Sequence, residues 1–393
     1  MDRQGKQRFW IALLAGVGLL LSSIPASLAV MGAGNSTAGI VISNTLHGNL
    51  TQVTPPPGPG PAPTPPAPTP ETPGTWTVKP GEETAVTFND GALEITLPKG
   101  GVAEDATLTV QEVPRASWPS LGSRILLGNT LYDITLKDKD GKPIRELLSP
   151  LTLSFRLPAD RPQEPLHVFY YDEFLKAWIA LPSKVEGDRI YAKVSHFTVF
   201  APLAAPGFPQ LKDIEGYWAE EDIYKLISLG AITGYDDGTF RPQSLTTRAE
   251  MTAMLVRALK LPLRGTVPFR DPIPAWAQPY IGAAYDKGLV RGFEDGTFRP
   301  DEPITREASV VLLIRGLPFL PQGKDLAGFM PSPEPLPFRD QGKIASWALE
   351  DVRLAYQLGL ARGFEDGTFR PQEPTSRGQM AALIARWLSL GQK

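Results

Sequence analysis

Three arginines, Arg248, Arg306 and Arg377, recur at one place in a repeated text. Each stands fourteen residues after the first glycine of a loop. The loops read Gly234-Tyr-Asp-Asp-Gly-Thr-Phe-Arg-Pro242, Gly292-Phe-Glu-Asp-Gly-Thr-Phe-Arg-Pro300 and Gly363-Phe-Glu-Asp-Gly-Thr-Phe-Arg-Pro371. Thr247, Thr305 and Ser376 precede the arginines. With Glu250 and Gln379 three residues on, the first and third copies read as capping boxes at a helix N-terminus. The middle copy has Ala308 there, so its box is open. Capping explains the hydroxyls and the acidic or amide residue. It does not explain the arginine, because a cation at the positive end of a helix costs roughly 0.3–1 kcal/mol. Its threefold recurrence points to a neighbouring anion. Free helix N–H groups beside a guanidinium would suit a carboxylate ligand. A salt bridge within the protein, for instance to Asp237 or Asp295, would answer the same charge.

Other residue types keep step with the arginines. Trp218, Trp276 and Trp347, each followed by alanine, lie sixteen residues before the first loop glycine. They could pack at the start of a helix or offer a flat apolar platform to a sugar ring. Asp213, Asp271 and Asp340 lie upstream and could cap that helix or accept hydrogen bonds from sugar hydroxyls. Tyr235, Phe293 and Phe364, with Phe240, Phe298 and Phe369, read as core. The Asp-Gly loops lack the alternating carboxylate spacing and distal glutamate of a calcium loop.

Much other chemistry is excluded. The 393 residues contain no cysteine, so disulfides, thiolate metal sites and thiol nucleophiles are absent. His47, His167 and His196 are the only histidines, too scattered for a metal site. Lys+Arg is 39 and Asp+Glu is 42, a net charge of −3 without a basic run, which argues against nucleic acid as a partner. No metal or cofactor is expected. Neither the nucleophile-elbow, phosphate-loop nor zinc-protease motif occurs. A glycoside hydrolase would need two matched carboxylates. The adjacent Asp172 and Glu173 would face opposite ways on a strand.

The elements around these residues fall into blocks. Residues 1–29 read as a secretory signal: basic residues, the 13-residue apolar run Phe9–Leu21, then a small-residue cleavage site after Ala29. With the signal removed, no stable membrane span is expected. Residues 30–53 carry no firm pattern. From Thr54 to Gly74, 11 of 21 residues are proline, which reads as a polyproline spacer. Residues 75–205 alternate with period two between turn signals and predict an antiparallel β-sandwich of about seven or eight strands. The last strand of that set covers Phe197–Phe200. From 206 the period is helical and the text repeats: unit one over 206–265, unit two with a Pro/Gly-rich insertion over 266–335, unit three over 336–393. Each unit reads helix–loop–helix, with Gly230, Gly288 or Gly359 closing the first helix and the second starting at the arginine.

The Trp-Ala pair, the Gly-(Tyr/Phe)-x-Asp-Gly-Thr-Phe-Arg-Pro loop and the Thr-Arg-Ala-Glu start of helix two together closely resemble the S-layer homology repeat family over residues 208–393. That motif is whole in unit one. Unit two reads Thr305-Arg-Glu-Ala308 and unit three Ser376-Arg-Gly-Gln379. The resemblance implies a multidomain protein whose sandwich is followed by an all-α, pseudo-threefold repeat domain. It implies a secreted, non-enzymatic protein of the cell wall, S-layer or cell surface, held non-covalently on secondary cell-wall polysaccharide carrying pyruvylated amino sugars. The polymer would lie in grooves between units, with Arg248, Arg306 and Arg377 as the family's arginines. Other surface proteins would be partners of the sandwich. The segment 75–203 is similar to ZU5-like sandwiches through Leu-Pro-Lys-Gly-Gly101, Val168-Phe-Tyr-Tyr-Asp172 and Ser195-His-Phe-Thr-Val-Phe200. Some relatives of that fold self-cleave at a His-Phe-Ser motif. Here His196, two residues away on the same strand face, would assist the Thr198 hydroxyl against the Phe197 carbonyl. The alternative is a plain terminal strand. Self-cleavage and a wall-anchored glycoside hydrolase stand as the enzymatic alternatives.

Overall fold

The computed structural model describes residues 73–321, 323–326 and 330–390. The expected signal, the stretch 30–53 and nearly all of the proline spacer lie outside them. Twelve strands come first: β1 (Gly74–Val78), β2 (Thr84–Phe88), β3 (Leu93–Leu97), β4 (Ala106–Glu112), β5 (Ile125–Leu126), β6 (Tyr132–Asp138), β7 (Glu146–Arg156), β8 (Leu166–Asp172), β9 (Ala177–Ala180), β10 (Ser183–Glu186), β11 (Arg189–His196) and β12 (Val199–Ala204). They form a seven-stranded sheet, β1-β4-β6-β12-β8-β9 with β5 on β12, and a five-stranded sheet, β10-β11-β7-β3-β2. All pairings are antiparallel. The strands beyond the expected seven or eight, β1, β2, β5, β9 and β10, are short ones of two to five residues.

Alternation does its ordinary work in most strands. Leu93, Ile95 and Leu97 of β3 point inward and meet Leu108, Val110 and Ile134 of the other sheet in one apolar core. Strand β12 departs from alternation. Phe200 and Ala204 face that core, while Ala201 and Leu203 join the core of the helical region with Phe169, Trp178 and Ala180. A strand buried on both faces carries a continuous apolar run, which is why Phe200-Ala-Pro-Leu-Ala204 has no polar residue.

The helices are α1 (Glu220–Ser228), α2 (Arg248–Ala258), α3 (Gln278–Asp286), α4 (Arg306–Gly316), α5 (Gly323–Leu326, in the insertion), α6 (Leu349–Gln357) and α7 (Arg377–Leu388). Gly230, Gly288 and Gly359 adopt φ near 70° after α1, α3 and α6. The paired bonds Gly230 N–H to Ile227 and Ala231 N–H to Leu226 make a Schellman stop, repeated after α3 and α6. Thr247 and Ser376 close complete capping boxes, whereas Thr305 caps α4 alone.

Each second helix packs on the first helix of the next unit: α2 on α3, α4 on α6, and α7 back on α1. Main-chain bonds close the same circle. Thr246 N–H donates to Thr375, Thr375 to Ile304, and Ile304 to Thr246, at 2.9–3.0 Å.

At the seam with the strands, the Ala180 N–H donates to the Ser228 hydroxyl at 2.9 Å. Lys225 lies 3.8 Å from Asp172 and donates to Ser389 at 2.8 Å. His167 packs among Phe208, Tyr224 and Phe169.

Candidate functional site

Each loop is a preset turn. Tyr235 N–H donates to the Thr239 carbonyl, and Gly238 sits at φ 76°. Asp237 accepts from the Thr239 N–H at 3.0 Å and the Thr239 hydroxyl at 2.6 Å, and pairs with Arg241 at 2.8 Å. Asp295 and Asp366 repeat this with Arg299 and Arg370. The Thr239 hydroxyl first, then Arg241, hold the Asp237 carboxyl down to about 2; Thr297 with Arg299, and Thr368 with Arg370, do the same for Asp295 and Asp366.

Asp213, Asp271 and Asp340 clamp the loops from below. The Phe240 and Arg241 N–H groups donate to the two oxygens of Asp213, both at 2.7 Å. Phe298 and Arg299 donate to Asp271, and Phe369 and Arg370 to Asp340, at 2.7–2.8 Å. The helix-cap reading of these aspartates is therefore corrected. The N-cap positions of α1, α3 and α6 are Ala219, Ala277 and Ala348, without a side-chain bond.

The arginines of the second helices reach across the unit boundaries. Arg248 lies over Phe293 and Phe298 of unit two, at 4.6 and 5.0 Å from the ring centroids. Arg306 lies over Phe364 and Phe369 of unit three, and Arg377 over Tyr235 and Phe240 of unit one. None pairs with a loop aspartate, since those are engaged by the arginines of their own loops. The helix N–H groups are not free either. Arg248 and Ala249 donate to Glu302 and Pro300, Arg306 and Glu307 to Glu373 and Pro371, and Arg377 and Gly378 to Ser244 and Pro242. These N–H groups of the helix ends are therefore not left to offer a ligand at any of the three junctions. Burial pushes the Arg306 side chain down to about 10, helped by the like charges of Arg386 and Arg370.

Tyr235, Phe293 and Phe364 are not core, a second correction. Phe293 is exposed and the other two are half-buried. Each has a second guanidinium over it, from Arg241, Arg299 or Arg370, at 3.9–4.1 Å. Two cations held on one ring keep it at the surface. Phe240, Phe298 and Phe369 do fill the core.

Sequence reasoning passed over Arg241, Arg299 and Arg370. All three sit in the left-handed region, at φ 57–59°, each ahead of a proline. A non-glycine residue there costs roughly 1–3 kcal/mol, met here by the aspartate clamp on its N–H. The thrice-repeated Phe-Arg-Pro was the available signal.

Trp218, Trp276 and Trp347 are 63%, 49% and 57% exposed, while the alanine after each is buried. The packing reading fails for these rings. Two contacts place the segments that carry Trp218 and Trp347. Gly378, in the first turn of α7, lies against Tyr217, the neighbour of Trp218. Glu307, in the first turn of α4, accepts from the Ala345 N–H two residues before Trp347. Each junction thus has a guanidinium on a loop ring, with an exposed indole at the start of the facing helix.

Among the described residues, the groups named for the enzymatic alternatives are otherwise engaged. The chain bends after His196, so it does not share a strand face with Thr198. The Thr198 hydroxyl donates to the Tyr171 carbonyl at 2.9 Å. His196 packs on Tyr170 with Nε2 buried and unpartnered, and burial pushes its imidazole down to about 4. Asp172 holds the turn through the Phe174 and Leu175 N–H groups, and Glu173 pairs with Lys176.

Residues 210–252, 270–308 and 337–381 match the S-layer homology domain. An endoglucanase of Bacillus sp. (strain KSM-635) is 35% identical over 200 residues, 49% of this chain and 21% of the relative. Cell surface glycoprotein 1 of Acetivibrio thermocellus is 31% identical over 165 residues, 41% of this chain and 7% of its own. S-layer protein EA1 of Bacillus anthracis is 29% identical over 193 residues, 48% and 21% of the two chains. The chain spans about a fifth or less of the length of these relatives. The likeness to the endoglucanase is one of S-layer homology regions and carries no catalytic assignment. Three tandem S-layer homology domains mark a protein of the cell surface or cell wall. No helix among the described residues is long and apolar enough to cross a membrane.

Proposed function

We propose that the chain anchors itself without covalent bonds to secondary cell-wall polysaccharide carrying pyruvylated amino sugars, and holds the two-sheet region out as a ZU5-like structural or partner-binding module. The polymer runs in the grooves between repeats, which follow one another about a pseudo-threefold axis. The observation that carries this reading is that Arg248 and Arg306 stack on exposed or half-buried loop rings across a unit boundary, while a tryptophan ahead of each unit's first helix stands about half or more exposed. Indole faces suit the apolar side of a sugar ring, and a guanidinium suits a ketal carboxylate. Asp213, Asp271 and Asp340 serve the site by fixing the loop whose ring carries the arginine.

The test is co-sedimentation of the full chain with purified wall polysaccharide, native and depyruvylated. The native polymer brings the protein down and the depyruvylated one does so poorly. Equal sedimentation with both removes the carboxylate from the argument; none with either removes the anchor.

A further inference from the structure

The three junctions share a plan and differ in how their arginines are satisfied. Arg377 is 6% exposed and fully engaged. Its Nε–H donates to the Phe240 carbonyl at 3.0 Å and an Nη2–H to the Thr233 carbonyl at 3.2 Å. Its Nη1 lies 3.6 Å from Glu250. Arg248 has one such bond, from Nε to the Phe298 carbonyl at 2.9 Å, and no ion pair among the described residues. Arg306 has none: its Nε is buried without an acceptor, and no carboxylate pairs with it among the described residues. Glu307 beside it is not available. The Gln372 amide and the Ala345 N–H occupy its two oxygens at 2.6 and 3.0 Å.

The cause lies in one position of the repeat. Glu250, the third residue of α2, caps its own helix with one oxygen and meets the incoming Arg377 with the other. The circle of units sets the equivalent position opposite the other two arginines. Ala308 corresponds to it for Arg248, and Gln379 for Arg306. The departures of units two and three from Thr-Arg-Ala-Glu at this position, Ala308 and Gln379, are therefore missing counter-ions.

We propose that the junction between units two and three, built on Arg306 and Trp347, is the principal anion-reading groove, and that Glu250 makes the Arg377 junction a closed structural clasp. This rests on the polysaccharide reading and assigns the work within it. A half-buried guanidinium whose Nε–H has no acceptor, and which no carboxylate meets among the described residues, gains most from an incoming carboxylate. The surrounding charges agree. Arg370 and Arg386 add positive field at Arg306, opposed by Glu373, whereas Arg248 feels the carboxylates of Glu302 and Asp271 against Arg299.

The experiment is calorimetric titration of the full chain with a methyl glycoside of a pyruvylated N-acetylhexosamine, beside co-sedimentation with wall polymer. Gln379→Glu supplies the missing counter-ion without removing the arginine and should weaken the glycoside about tenfold or more. Arg306→Gln should abolish measurable binding. Glu250→Gln should release Arg377 and raise the number of glycosides bound per chain. If Gln379→Glu and Arg306→Gln both bind like the unaltered chain while it still sediments with polymer, the assignment is wrong and the anchor stands. If the unaltered chain binds neither glycoside nor polymer, the anchor itself is wrong.

Discussion

The Nε–H of Arg377 donates to the carbonyl of Phe240, 137 positions earlier in the chain, across 3.0 Å. This bond fastens unit three onto unit one and completes the circle of helices. Arg377→Ala would take from the Phe240 and Thr233 carbonyls, and from one Glu250 oxygen, the nearly inaccessible guanidinium they share. Removing one side of such a contact costs about 2–4 kcal/mol. Urea unfolding should show that loss at Arg377, with a smaller one for Arg248→Ala. A change below about 0.5 kcal/mol at Arg377 would mean that the clasp is slack.

The tryptophans should behave in the opposite way. Trp218, Trp276 and Trp347 are about half or more exposed. Replacing all three with alanine should move the folding free energy by no more than about 0.5 kcal/mol per site, as for ordinary surface changes. Pelleting with wall polymer should fall sharply. A variant that pellets as before would deny the indoles any part in sugar binding.

The aspartate clamp makes a claim about the loop. Asp271→Asn keeps the shape but gives up a charge and puts an NH2 group against an N–H donor. Loss of a charge-assisted bond and one unmatched donor predicts about 1–3 kcal/mol. The measurement is chemical denaturation, with amide hydrogen exchange at Phe298 and Arg299 as a local readout. Unchanged protection there would contradict the clamp.

His167 supplies a pH dependence. Burial pushes its imidazole down to about 4, against the bond to the Leu181 carbonyl. The folded chain keeps this ring neutral, while the unfolded chain protonates it below about 6.5. Its stability contribution is whole above that value and is lost as pH falls toward 4, amounting to about 2 kcal/mol by pH 5. His196 shifts in the same direction. His167→Phe removes one titration within an aromatic setting, and the Leu181 carbonyl still accepts from Ser183. The drop in Tm between pH 7 and pH 5 should shrink in this variant. An equal drop would place the acid sensitivity elsewhere.

Much of the local architecture was readable in the text. Thr247, Thr305 and Ser376 mark helix starts because a cap acts within three residues, and Gly230, Gly288 and Gly359 mark helix stops because only the left-handed region closes a Schellman turn cheaply. What escaped depends on distance along the chain. The partners of Asp213 lie 27 and 28 residues away, so local capping looked like its natural task. Tyr235 looked like core because hydropathy does not register guanidiniums brought in from another unit. Strand β12 was read only over Phe197–Phe200, since its second apolar face exists because α1 and its neighbours cover it. The Glu250–Arg377 pair joins the first repeat to the last, and no spacing rule announces such a match.

Strand β12 lends one face to the sandwich and the other to the repeats, so no slack hinge separates the two regions there. A tug on the outer strands would arrive at the junctions as torque on one stiff body, with the seam of Lys225, Asp172 and Ser389 resisting shear. Whatever grips the helical end also sets the bearing at which the sheets face their surroundings.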